Sequence, residues 1–169
     1  MRAPLPSART AIAALLLAGS TGARAQVDAD TLKAAFVYNF ALYATWPAPV
    51  RNVSEITVCV PRRSTLAPAL DELAGKRVDA RKLAVHEVDA YAAGDGCDVR
   101  VIDEKIPAAP AESGVLTVCD CSETPAPSSG IIALVREGTR LRFDVDLGAA
   151  DAAHITLSSK LLHLARTTR

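Results

Sequence analysis

Four cysteines are the most reactive side chains in this 169-residue sequence: Cys59, Cys97 and the closely spaced Cys119-Asp120-Cys121. A cysteine acts as a thiolate nucleophile, as a metal ligand or as half of a disulfide. Redox enzymes of the thiol type lower a thiol pKa in a CxxC motif at a helix start, and neither Cys119 nor Cys121 has that setting. No CxxC pair exists and the histidines are scattered (His86, His154, His163), so no metal site is expected. That leaves disulfides, for which four cysteines allow three connectivities. Residues i and i+2 of an extended segment lie about 6.5–7 Å apart, at or beyond the usual disulfide range. A Cys119–Cys121 bridge therefore needs a tight turn; it reads either as a redox-sensitive latch or, the favoured reading, as a static turn bridge or two thiols. Other chemistry finds no motif: GxGxxG, GxxxxGK, HExxH and GxSxG are all absent. Acid pairs such as Asp103-Glu104 sit in polar connections and read as solvated surface. No catalytic residue and no cofactor are expected.

The disulfide reading depends on the compartment, and the first residues speak to it. Arg2 and Arg9 precede an apolar run from Ala11 to Ala18, followed by Ala23-Arg24-Ala25 before Gln26. A basic region, a short apolar region and a small-x-small site make a secretory signal peptide over residues 1–25. The mature chain is then 26–169, a single domain by length. Export to an oxidising compartment favours disulfides. Removing three arginines leaves sixteen basic against nineteen acidic side chains. A mildly acidic chain without a basic block excludes nucleic acid as a partner.

Five of the seven aromatic residues fall in one stretch, LKAAFVYNFALYATWPA over residues 32–48. Asp30 or Thr31 can cap a helix from Leu32, and Pro47 ends it near Trp46. About fifteen residues with Asn39 in the middle cannot span a bilayer. Leu32, Phe36, Phe40 and Tyr43 share one helical face and are expected to face the core. Tyr38 and Trp46 lie off that face. They are expected to border a patch that binds a partner protein or a ligand, since aromatics with polar tips serve as interface anchors.

These residues need elements to position them. Glu55–Val60 reads as a buried strand, Leu66–Leu73 as a helix capped by Ser64 or Thr65, and Arg81–Val88 as a second strand. Cys97–Ile102 and the uniformly apolar Gly114–Cys119 follow as strands, the latter central. The connection 103–114 is polar and interrupted by Pro107 and Pro110, and 122–129 is a Pro/Ser loop. Ile131–Val135, the turn at Glu137-Gly138 and the alternating Thr139–Leu147 form an antiparallel hairpin. Ala149–His154 and a helix capped by Ser158, with Leu161, Leu162 and Leu164 inward, close the chain. Alternating strands and helices imply an α/β sandwich with a mostly parallel sheet.

The order LKAAFVYNFALYATWP, ITVCVP, LDELAGKRV, CDVRVID, GVLTVCD and LRFDVDLGAADAAHITLSSKLLHLAR resembles the YfiR-like family of bacterial periplasmic proteins, from about Leu32 to Arg166. The resemblance implies a Rossmann-like three-layer sandwich, with a mostly parallel sheet and a C-terminal antiparallel hairpin. It implies a Cys59–Cys97 disulfide, which leaves Cys119 with Cys121 for a second. It implies a non-enzymatic regulator of cyclic-di-GMP signalling that restrains the periplasmic region of an inner-membrane diguanylate cyclase or sensor kinase. A small-ligand-binding sensor is the alternative, with a thiol oxidoreductase using Cys119 and Cys121 behind it; a homodimer is compatible with each. Two positions depart from the family pattern: Cys119-Asp120-Cys121 itself, and His154 where a glycine is expected.

Overall fold

A computed structural model describes residues 21–48, 52–92, 94–103, 112–121 and 130–169, with side chains from Ala29 on. Helix α1 spans Thr21–Tyr43 and runs straight into the two-residue strand β1 (Ala44–Thr45). Strand β2 (Glu55–Pro61), the short helix α2 (Ala67–Asp71), β3 (Arg77–Val78) and β4 (Arg81–Val88) follow. Then come β5 (Val99–Asp103), β6 (Leu116–Asp120), β7 (Ile132–Glu137) and β8 (Arg140–Val145). The chain closes with α3 (Leu147–Ala152), β9 (Thr156–Leu157), α4 (Ser159–Leu164) and β10 (Thr167–Thr168).

Eight strands form one mixed sheet in the order β10-β8-β7-β6-β5-β2-β4-β3, and β1 pairs with β9 apart from it. The pairs β4-β2, β2-β5, β5-β6 and β6-β7 are parallel, whereas β7-β8 is an antiparallel hairpin. The expected hairpin is therefore present, turned by Gly138 at φ 60°. The central position expected for β6 also holds, between β5 and β7.

Strand alternation gives the sheet two different faces. Ile56, Val58, Val99, Val101, Leu116, Val118, Ile132, Leu134, Phe143 and Val145 join one apolar cluster with residues of all four helices. Ile102, Cys119 and Ala133 point the other way and form a small separate cluster with Cys121, against Tyr91. The described helices thus cover one face. Right-handed crossovers explain the division, because β2 to β4 moves across the sheet in one direction and β4 to β5 to β6 to β7 in the other. Of the second series, the described residues of 89–98 include no helix, and the connections expected around 103–114 and 122–129 fall largely outside the described residues.

Several expectations need correction. Helix α1 is already helical at Thr21, the first described residue, and does not start at Leu32, so Asp30 and Thr31 are internal residues rather than caps, and the expected cleavage point after Ala25 lies within it. Ala23, Ala25, Gln26 and Ala29 are good helix formers with no proline among them, which lets the helix extend. Its buried stripe is Asp30, Ala34, Val37, Phe40 and Ala41, continued by Ala44 at the start of β1, while Leu32 and Tyr43 are exposed. Small side chains on that stripe let the helix sit close to the sheet, and the larger Phe36 packs at its margin with its ring 5.9 Å from Phe143. Leu164 is exposed, not inward. Helix α2 is shorter than expected and has no side-chain cap, since the Ser64 hydroxyl accepts the Leu66 N–H in a local turn. The cap at Ser158 holds, accepting from the Leu161 N–H. His154 occupies φ 55°, the left-handed turn that its place in the sequence implied.

Candidate functional site

Cys59 lies in the middle of β2 and Cys97 just before β5, the strand paired beside it. Their Cα atoms are 5.7 Å apart and their sulfurs are bonded, closing the loop the resemblance implied. Asp95 approaches both sulfurs, with one oxygen within 4.8 Å of each. Two of the three potential ligand atoms there are already bonded to each other, so the group is a covered disulfide and not a metal cage.

Around that bridge sits an ion network the sequence reading missed. Arg100 is 2% exposed and its Nη2 donates to Asp95 Oδ1 at 2.9 Å, Glu112 Oε2 at 2.6 Å and the Ala92 carbonyl at 2.9 Å. Its guanidinium also lies 5.6 Å from the Tyr91 ring. Burial alone would raise the Asp95 carboxyl, but the hydrogen bonds from Arg100 and the Cys97 amide outweigh it and hold the pKa below the usual value. Burial pushes the Tyr91 hydroxyl well above its usual range, with Arg100 opposing. That hydroxyl donates to the Val101 carbonyl and lies 3.3 Å from the Cys59 carbonyl, and so ties Tyr91 to β5 and β2. The signal was present in Cys-Asp-Val-Arg-Val-Ile: a charge alternating with valines in a strand has to be paired if both faces are covered.

The second cysteine pair stands at the carboxyl end of β6. Cys119 and Cys121 are bonded with Cα atoms 5.2 Å apart, shorter than an extended i, i+2 spacing, so the chain contracts at Asp120. The Asp120 carboxylate receives Lys33 Nζ of α1 at 2.8 Å, and Lys33 also reaches Asp30 at 3.9 Å. Helix α1 is thereby pinned to the residue between the two sulfurs. Among the described residues every cysteine is disulfide-bonded.

Trp46 and Tyr38 occupy different environments. Trp46 is buried at the other end of the sheet, where its Nε1 donates to the Asp98 carbonyl at 3.3 Å and Arg81 stacks 4.9 Å from its ring. Asp98 is itself buried and accepts the Thr57 N–H. The expectation that core packing does not account for Trp46 is corrected: the chain turns in at Pro47, which lies under Gly114. Tyr38 is half-buried, with its hydroxyl donating to the Arg77 carbonyl at 2.7 Å and Lys76 5.8 Å from its ring. The structure does not bring Tyr38 and Trp46 into one exposed patch, since Trp46 is covered.

A family model described as YfiR/HmsC-like matches residues 30–166. The chain belongs to the YfiR/HmsC-like family. The match begins inside α1 and runs past α4, so it covers the positions of both disulfides and of the Arg100 network. No curated protein matches the chain. No described helix is long and apolar enough to cross a membrane.

Proposed function

We propose that this chain is a non-enzymatic periplasmic regulator that binds and restrains the periplasmic region of an inner-membrane signalling protein, a diguanylate cyclase. The family match over residues 30–166 carries this reading. The ionisable groups of the site agree with it. Arg100, Asp95, Lys33 and Asp120 are engaged in ion pairs that hold one element to another, an arrangement suited to a rigid binding body. The test is direct. The exported chain should bind the purified periplasmic region of the cyclase, and its deletion should raise cellular cyclic-di-GMP. A chain that binds no such region, and whose deletion leaves cyclic-di-GMP unchanged, overturns the reading.

A second reading, a small-ligand sensor, is favoured by one observation. The parallel strands run in the order β4-β2-β5-β6-β7, a doubly wound arrangement whose connections diverge between β2 and β5. Ligands of such sheets bind at the carboxyl ends beside that divergence. Calorimetry of the exported chain against periplasmic extracts fractionated by size tests it, and uniform absence of heat counts against it.

A further inference from the structure

The sheet ends in a strand the chain folds back onto itself. Strand β10 lies parallel to β8, with Thr167 opposite Asp144 and Thr168 opposite Val145. The Arg166 N–H donates to the Phe143 carbonyl, the Arg169 N–H to the Val145 carbonyl, and the Leu147 N–H to the Arg169 carbonyl. Odd-numbered residues of β8 therefore turn their backbone outward, which also places the Leu141 N–H and C=O on that edge. Strand β10 pairs with only the last two of the six residues in β8. Two ion pairs clamp it. Arg166 donates from Nε and Nη2 to the two Asp144 oxygens, and Arg169 Nε reaches Asp146 Oδ2 at 3.0 Å. Thr167, Thr168 and Arg169 are themselves exposed, and the family match stops at Arg166.

We infer that the outer edge of β8 is a strand-docking surface for an extended basic segment of a partner protein, and that residues 166–169 occupy it as a competitor in cis. Backbone pairing supplies the docking, because an edge strand with outward N–H and C=O groups accepts another strand. Charge complementarity supplies the chemistry: Asp144 and Asp146 accept two arginines three positions apart, and an incoming segment needs lysine or arginine at that spacing. A longer strand gains where the occupant is short, since it reaches Leu141 as well. Placing this segment on the membrane partner rests on the regulator reading; the edge itself does not.

The experiment uses a labelled peptide of residues 162–169, added to the intact chain, to a chain ending at Ala165, and to an Arg166→Ala/Arg169→Ala variant of the full chain. The peptide should bind the shortened chain at least tenfold more tightly than the intact one, with the double variant between them. Asp144→Asn in the shortened chain should remove that gain. The Leu147 amide should exchange faster with solvent in the shortened chain and regain protection with peptide. Equal binding to intact and shortened chains overturns the inference, as does no binding to a shortened chain whose near-UV spectrum matches the intact one. Dimerisation of the shortened chain without peptide uptake also overturns it, making the edge a contact between copies. Because the probe is this peptide, its failure leaves the regulator reading standing, and a failed cyclase experiment leaves the edge standing.

Discussion

Trp46 shows how much one side chain's surroundings change what its substitution should do. Its ring is buried, its Nε1 is bonded and Arg81 lies across it, so Trp46→Ala opens a cavity and removes a stacking partner. The expected cost is about 3 kcal/mol of stability with partner binding unchanged, read by urea denaturation beside a binding assay. Arg100 is the harsher case. Arg100→Met takes the guanidinium away from Asp95 and Glu112 and leaves two acidic groups side by side without their countercharge, and about 3 kcal/mol should be lost. The same groups predict the response to acid. Asp95 and Asp144 both titrate below the ordinary carboxylate value of 3.8 in the folded chain. For Asp144 the Arg166 hydrogen bond is the main cause, with burial opposing. The unfolded chain then binds more protons in acid, so their contribution is complete above that value and lost as pH falls through the lower folded pKa. Urea midpoints measured from pH 7 down to pH 3 should fall, and the decline should be shallower in Asp144→Asn.

Elements were legible where periodicity and turn chemistry agreed. Strands β2 and β4 were bounded closely by β-branched residues and by Pro61, and the β7-β8 hairpin was announced by Glu137-Gly138 and the alternation after it. The two glycines beside β7 should separate experimentally. Gly138 has φ 60° in open space, so Gly138→Ala costs only conformational strain, about 1 kcal/mol. Gly130 has φ 94°, and an added Cβ would stand 2.8 Å from Thr117 Oγ1, the atom that accepts the Ile131 N–H. Gly130→Ala should therefore cost about 2 kcal/mol or more, visible as the larger drop in melting temperature. Helix α1 was legible as a helix but not in its orientation. Its aromatic residues suggested one face, whereas the small residues Ala34, Ala41 and Ala44 set the close approach, and neither periodicity nor size alone ranks these two stripes. Short β9 and β10 were invisible because two-residue strands of this kind exist only by pairing with something distant in sequence. The Arg100 network escaped for the same reason, its partners being brought in by the loop and not by spacing.

At the scale of the whole molecule the two disulfides are unequal. Cys59–Cys97 closes a separation of 38 residues and should contribute about 4 kcal/mol in the chain-entropy model. Cys119–Cys121 spans two positions and constrains little of the unfolded chain. Denaturation of Cys59→Ala/Cys97→Ala should show that loss, while Cys119→Ala/Cys121→Ala should unfold near the midpoint of the parent chain. Helix α1 reaches across a comparable span in a different sense. Lys33 meets Asp120, Phe40 meets Phe143 edge to face, and the Tyr43 carbonyl accepts from the Ser158 N–H. A chain emerges from the ribosome beginning with its first residues, so this helix appears early and its partners nearly last. From Leu32 to Ala48 it carries a single charge, Lys33. Throughout synthesis the stickiest segment of the protein waits without a surface to land on. The chain cannot close around this helix before its last strands exist, so its folding has to wait for nearly the whole sequence.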